Sequence, residues 1–309
     1  MTEISSRATR NVLAIFNPQS GVGFRPSDIL NALREPWDSF PDINLTYQES
    51  RNIEDGVGKI RRAMDCDVDT VIVIGGDGMV NTLGAQLIGT DVKLAVLPAG
   101  SGNGFARHFD IPNNAEKAAK ALIKGEVMEI DVGFVNDHPF FVTASLAWDA
   151  ELVADFEKMP IRGIAPYVFA GIYKYFTYEP QDYHLNLDGE EIHIEKPLLL
   201  TAANLTQYGG GAKIAPEARA DDGLLTLVAV PRMEPHELLL QIRRLFDGSI
   251  SKIPELKTWQ FKKMTVQREQ AGKVQVDGEL MDADKDVVIE VKPKALKVIV
   301  PKGREKKDD

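Results

Sequence analysis

Three short apolar runs, residues 12–16, 71–74 and 93–97, the last with the charged entry residue Lys93, each end in a loop that carries glycine. A run that is apolar at successive positions has no polar side to give to water. As a strand it must be covered on both faces, and the segments between these runs are long enough for crossover helices. The combination predicts a parallel sheet with helices packed on it. In such a sheet the three loops leave from one edge, the carboxyl ends of the strands, where open α/β folds bind ligands.

Helical periodicity agrees with this. The spacing predicts helices at 28–33, at 53–64 (Ile53, Val57, Ile60, Met64), at 79–88 (Val80, Leu83, Leu87, Ile88) and at 115–123, the last with Asn114 before it and Gly125 as its stop. After about Val132 the pattern changes. Tyr183, Leu185 and Leu187 alternate with His184, Asn186 and Asp188, and Asp188-Gly189 reads as a hairpin turn before Ile192 and Ile194. Further strands are expected at 197–202, 224–230, 264–267, 273–277, 287–291 and 296–300, interrupted by helices at 164–176 and 235–246. The 309 residues thus divide into an α/β N-terminal lobe with a mostly parallel sheet over 1–132 and a β-rich C-terminal lobe over 133–295. The aromatic helix at 164–176 suits either packing on the second lobe or a lipid groove.

The loops are Asn17-Pro18-Gln19-Ser20-Gly21-Val22-Gly23, Gly75-Gly76-Asp77-Gly78 and Pro98-Ala99-Gly100-Ser101-Gly102-Asn103-Gly104. Glycine removes the side chain that would keep a phosphate away from backbone amides, and the helix expected directly after Gly78 offers free N–H groups. Asp77 is informative in such a place. A carboxylate repels a triphosphate unless a divalent cation lies between them or the carboxylate has a proton to take, and both roles fit phosphoryl transfer. Asn81, four residues on, can face the same site; Ser20, Ser101 and Asn103 offer neutral hydrogen bonds to phosphate or ribose. Taken one loop at a time, these are equally turn residues.

Other nucleotide signatures are missing. There is no Gly-Lys-Ser/Thr ending, no Gly-x-Gly-x-x-Gly fingerprint and no His-Glu-x-x-His, and the five histidines are scattered. The single cysteine, Cys66, excludes an intrachain disulfide and a cysteine-cluster metal site. A net charge of −10 argues against nucleic acid as a partner. No run approaches the ~20 apolar residues that span a bilayer, so a lipid substrate is expected to be met from the water side, by a cytoplasmic protein in transient contact with the membrane surface. The polar carboxyl end reads as a frayed tail. In the second half, Asp277 and Glu279 flank a glycine just past a strand, where a carboxylate can accept a proton from a hydroxyl or merely shape a hairpin. Asp221-Asp222-Gly223 suits a hard cation or a solvated turn.

Together these motifs resemble the diacylglycerol kinase catalytic-domain family, which embraces bacterial lipid kinases and the sphingosine and ceramide kinases. The resemblance rests on Asn17-Pro18 with Ser20-Gly21, on Gly75 to Gly78 with Asn81, on residues 97–107, on 216–224 and on 276–279. It implies an NAD kinase/diacylglycerol kinase-like fold, with a sandwich-like second lobe, ATP in the cleft between lobes, and 296–309 completing the first lobe. It implies nucleotide contacts at Asn17, Ser20, Gly21, Gly76, Asp77, Gly78, Asn81, Gly100, Ser101 and Asn103. Asp277, with Glu279 beside it, is implied as the catalytic carboxylate, and Asp77 as an organiser of the magnesium–triphosphate complex. A structural Mg2+ site is implied at Asp222 and the Leu224 carbonyl, although Arg219 stands where another ligand is expected. Met79 replaces the usual threonine after Gly-Gly-Asp-Gly, and Gly104 replaces an aspartate of the bacterial glycerolipid kinases, so that 100–107 looks closer to the sphingosine kinases. The implied activity is ATP-dependent phosphorylation of a diacylglycerol or sphingoid-like lipid. NAD kinase activity, or non-enzymatic binding of lipid or nucleotide, are the rival functions. Homodimer formation is left open.

Overall fold

In the computed structural model, which describes residues 10–18, 26–37, 40–148, 150 and 178–303, the three apolar runs are adjacent parallel strands. The chain divides into two compact units, one made of the described residues up to Glu129 and from Leu296 onward, the other of Ile130–Ala295.

The first unit runs β1 (Arg10–Phe16), α1 (Pro26–Trp37), β2 (Ile43–Glu49), α2 (Ile53–Met64), β3 (Thr70–Gly75), α3 (Asp77–Gly84), β4 (Lys93–Pro98), α4 (Gly104–His108) and α5 (Ala115–Ile123). Its strands lie in the order β2-β1-β3-β4, all parallel. Every residue of β3 is buried, as are Val12 to Phe16 and Leu94 to Leu97, which explains why these segments show no alternation. The last strand of the chain adds to β4 in parallel, Lys297 opposite Lys93 and Val298 opposite Leu94.

The second unit contains most of β5 (Glu126–Val135), then β6 (His138–Phe140), β7 (Thr143–Ser145), β8 (Tyr183–Leu187), β9 (Glu190–Ile194), β10 (Leu199–Ala203), β11 (Leu225–Val230), α6 (Pro235–Asp247), β12 (Lys257–Phe261), β13 (Lys263–Arg268), β14 (Gly272–Val276), β15 (Glu279–Ala283) and most of β16 (Asp286–Val300). One sheet pairs β16-β13-β8-β9 and the other β12-β11-β10-β7-β14-β15, antiparallel throughout. Tyr183, Leu185, Met264 and Ile289 of the first sheet share a core with Ala144, Leu200, Leu227, Val274 and Val276 of the second, so the two form a sandwich. The fully buried Tyr183 donates its hydroxyl to the Leu146 carbonyl at 2.7 Å and so satisfies the polar end of a large core side chain.

Several boundaries differ from those the sequence suggests. The helix expected from Met79 starts at Asp77, because the Val80 amide already donates to the Gly76 carbonyl, and its end tightens into a 3-10 turn at Ala85–Leu87. The two strands expected at 287–291 and 296–300 are one, β16; Pro293 and Lys294, at φ 50°, interrupt its pattern without ending it. Strands β2, β5, β12 and β15 and the short α4 are not foreseen, since their polar residues mask the periodicity. Ser20, Gly21, the expected helix at 164–176 and the chain end beyond 303 lie outside the described residues.

Candidate active site

In the first unit, β3 and β4 deliver two of the three glycine loops side by side. The Ala99 amide donates to the Gly75 carbonyl at 3.0 Å, extending the ladder by one bond past the strands. Beyond it the two backbones touch. A Cβ on Gly100 would stand 2.6 Å from the Gly76 Cα, and one on Gly76 would stand 3.2 Å from the Gly100 Cα. Glycine at both positions is therefore a packing requirement before it is a ligand-binding one.

Asp77 locks this arrangement. As the first residue of α3 it sends its carboxylate across to the start of α4, where Oδ2 accepts from the Gly104 amide at 2.9 Å and Oδ1 from the Phe105 amide at 3.0 Å. Burial pushes the Asp77 carboxyl above its ordinary value of 3.8, against the pull of these two amides and of the nearby Arg107 guanidinium. Asn103 closes the loop that precedes α4. It adopts a left-handed backbone, φ 52°, and its side-chain Oδ1 accepts from the Gly100 amide while Nδ2 donates to the Gly100 carbonyl, both at 2.9 Å. Arg107 Nε donates to the Gly102 carbonyl at 3.0 Å. The third loop is thus held at Gly100, at Gly102 and through Asp77. Motif spacing gave no hint of the Arg107 contribution, although Arg107 lies within the motif.

The early start of α3 places the amides of Asp77, Gly78 and Met79 in its first turn, where no intrahelical carbonyl is available and a phosphate oxygen is a suitable acceptor. Asn81 lies one turn on, half-buried; Asn17 follows β1 directly, half-buried; Ser101 is exposed in the third loop. Gly76, Asp77, Gly100 and Asn103 are the expected site residues brought into mutual contact in this unit.

In the second unit Asp277 and Gly278 form the turn of the β14–β15 hairpin, at φ 48° and 91°. The Asp277 side chain turns away from solvent. Oδ2 accepts from Phe141 N–H at 2.7 Å, and Oδ1 from Val142 and Thr143 N–H at 2.8 and 2.9 Å. Asp188 occupies the same place in the β8–β9 hairpin and accepts from the Lys262 and Lys263 amides, but there it is exposed. Asp277 is 7% exposed. Glu279 opens β15 and is exposed. The hairpin is fixed from its open end by the buried Arg268, whose guanidinium donates to the carbonyls of Gly272, Ala283 and Asp284.

The Asp222–Leu224 turn is built differently. The Leu224 amide donates to Asp222 Oδ1 at 3.0 Å, and the fully buried Asp131 accepts from Gly223 N–H with Oδ2 and from Lys294 N–H with Oδ1. Burial raises the Asp222 carboxyl above 3.8, reinforced by the Asp131 and Asp221 charges. Arg219 pairs with Asp221 at 3.6 Å. Among the described residues no three His, Cys, Asp or Glu side chains gather as a metal cluster. Both Asp131 oxygens and Asp222 Oδ1 thus accept backbone amides, contacts that hold the turn without calling on a cation.

The chain matches two family models, the diacylglycerol kinase catalytic domain over residues 11–135 and the YegS C-terminal NAD kinase beta sandwich-like domain over residues 143–300. It is 32% identical over 300 residues to a diacylglycerol kinase of Mycobacterium tuberculosis, covering 94% of this chain and 95% of the relative. It is 31% identical over 192 residues to a probable lipid kinase, YegS-like, of Klebsiella pneumoniae, covering 60% of this chain and 62% of the relative. Among solved structures it is similar to a putative diacylglycerol kinase of Bacillus anthracis, with a TM-score of 0.75 at 22% identity, covering 95% of this chain and 98% of that one.

Proposed function

The chain belongs to the diacylglycerol kinase catalytic-domain family, and on that premise we propose that it is an ATP-dependent lipid kinase, transferring the γ-phosphoryl group to a lipid hydroxyl. The observation that carries the proposal is the clamped pair of glycine loops, Gly76 against Gly100 under the Asp77 carboxylate, in a chain whose relatives are named as lipid kinases. A kinase of this family takes ATP as its phosphate donor.

The loops and first turn of α3 hold the phosphates with backbone donors that need no reorganisation at the moment of transfer. Asn17, Asn81 and Ser101 add side-chain hydrogen bonds. ATP arrives as its magnesium complex, and the metal neutralises charge on the transferring group. Asp277 accepts the proton as the lipid oxygen bonds to the γ-phosphorus and the ADP oxygen leaves; Glu279 supports it. Asp77 acts by position, because its two oxygens already hold the amides of α4. No described helix is long and apolar enough to cross a membrane, and in this proposal the lipid is taken from a membrane surface met transiently.

Purified protein should be incubated with labelled Mg-ATP and diacylglycerol, sphingosine, ceramide or NAD. Label in a lipid product is the expected result. Label in NAD alone would overturn the assignment in favour of NAD kinase activity, and binding without transfer would make the protein a non-enzymatic regulator.

A further inference from the structure

Gln275 is a buried residue whose side-chain oxygen the described fold leaves unsatisfied. It lies in β14, two residues before Asp277, is 6% exposed, and its Oε1 has no hydrogen-bond partner among the described residues. Its strand neighbours Val274 and Val276 point into the sandwich core, as do Ala144 and Leu146 beside Ser145, and Leu200 and Ala202 beside Thr201. Alternation therefore places Gln275, Ser145 and Thr201 on the opposite face of the sheet. The register sets Gln275 opposite Ser145 and Ser145 opposite Thr201. Ser145 Oγ lies 3.2 Å from Thr201 Oγ1, which lies 2.7 Å from the Tyr208 hydroxyl.

The result is a polar strip across three strands, with Ser145 and Thr201 at 1% and 0% exposure, that reaches Gln275 and there lacks a partner. A buried carbonyl oxygen without a donor is costly, so one that persists in a native protein calls for an ordered water or a ligand. Gln275 lies in the strand that leads directly into the hairpin turn formed by Asp277, the proposed proton acceptor.

We infer that Gln275 reads a second hydrogen-bond donor on the acceptor lipid, next to the hydroxyl that is phosphorylated. The inference rests on the lipid-kinase assignment and narrows it. Diacylglycerol has one hydroxyl, the reacting one, and two esters that only accept hydrogen bonds; it leaves Gln275 Oε1 unpaired. A monoacylglycerol carries a second hydroxyl and a long-chain amino alcohol an amine or a second hydroxyl. Sites built around a polar partner discriminate strongly against analogues that lack it. This kinase therefore favours lipids with that additional donor.

The test is kcat/KM of the full chain for monoolein, sphingosine and dioleoylglycerol in matched mixed micelles, for the wild type, Gln275→Glu and Gln275→Met, with thermal unfolding of each. Wild type is expected to favour monoolein or sphingosine over dioleoylglycerol by tenfold or more. Gln275→Glu, which keeps the acceptor, should retain the preference; Gln275→Met, which keeps the volume, should bring the ratio near one. Ser145→Ala provides a second variant on the same strip, with a smaller loss of preference, should Gln275→Met not fold. Equal use of the three lipids, or a preference unchanged in Gln275→Met and Ser145→Ala, overturns the inference and leaves lipid phosphorylation standing. No phosphorylation of any lipid by folded wild type overturns both.

Discussion

Asp277 and Thr143 hold each other through two hydrogen bonds: the Asp277 carboxylate accepts the Thr143 amide at 2.9 Å, and the Thr143 carbonyl accepts the Asp277 amide at 3.0 Å. The hairpin turn is thereby fixed to the strand beside it, and the carboxylate cannot rotate without releasing the amides of Phe141 and Val142 as well. In its proposed role as proton acceptor, Asp277 is preorganised at the expense of being structural too.

Replacing Asp277 separates the two roles. Asp277→Ala leaves three buried amides without an acceptor and should destabilise the fold by about 2–4 kcal/mol. Asp277→Asn keeps one carbonyl oxygen in place, so its stability loss should be the smaller of the two while kcat falls by roughly 10²-fold or more. Chemical unfolding measured alongside kcat checks this. Near-normal turnover in folded Asp277→Asn would remove Asp277 from the proton-transfer role.

Asp77 predicts a pH dependence of stability. Its carboxyl is raised above 3.8 by burial, so the folded state holds the proton more tightly than the unfolded state does. The stability this contributes is fully present below 3.8 and is lost as pH rises through the raised value. Unfolding temperatures of wild type and Asp77→Asn across pH 3.5 to about 8 should show wild type losing ground to the variant with rising pH. A constant difference would contradict the burial effect.

Gly100→Ala should disrupt the nucleotide loops. The added Cβ would stand 2.6 Å from the Gly76 Cα and 3.0 Å from Asn103 Oδ1, and backbone offers no flexible end that can move aside. The expected cost is about 1–3 kcal/mol of stability and a raised KM for ATP. Gly76→Ala, at 3.2 Å, should be milder. Equal KM values for all three proteins would show that the contact between the loops does not shape the phosphate site.

Chelation distinguishes magnesium as part of the substrate from magnesium as part of the fold. The turn that carries Asp222 is held by backbone amides on both Asp131 oxygens and on Asp222 Oδ1. EDTA should therefore abolish turnover while shifting the unfolding temperature by less than about 1 °C, since a group that does not bind the native state cannot stabilise it. A drop of several degrees would reveal a resident metal.

Arg268 tests how far the hairpin depends on its open end. Arg268 is 3% exposed, and its guanidinium is held by backbone carbonyls of β14, β15 and the turn after β15. Arg268→Met should cost about 2–4 kcal/mol by leaving those carbonyls without donors, and should lower kcat through displacement of Asp277. Unfolding and turnover measured on the same preparations would show whether the two losses travel together.

The sequence by itself determined the parallel core strands, the edge at which the glycine loops gather and the change to a strand-rich second half. Hydrophobic patterning and glycine placement are local, and a strand buried on both faces, like β3, announces itself in its own residues. It also singled out Asp77 and Asn103 as candidates, and the family resemblance added Asp277. It could not say what they hold. Asp77 reaches Phe105, 28 positions away, and Asp277 reaches Phe141, 136 positions away. Asp277-Gly278 and Asp188-Gly189 are the same dipeptide in the same kind of turn, and only the tertiary structure buries one carboxylate and leaves the other in water. Likewise Gln275 is an ordinary polar residue in its strand until three strands align and leave its oxygen without a donor. Burial and hydrogen-bond satisfaction belong to pairs of residues far apart in the chain, so they are settled only when the fold brings those residues together.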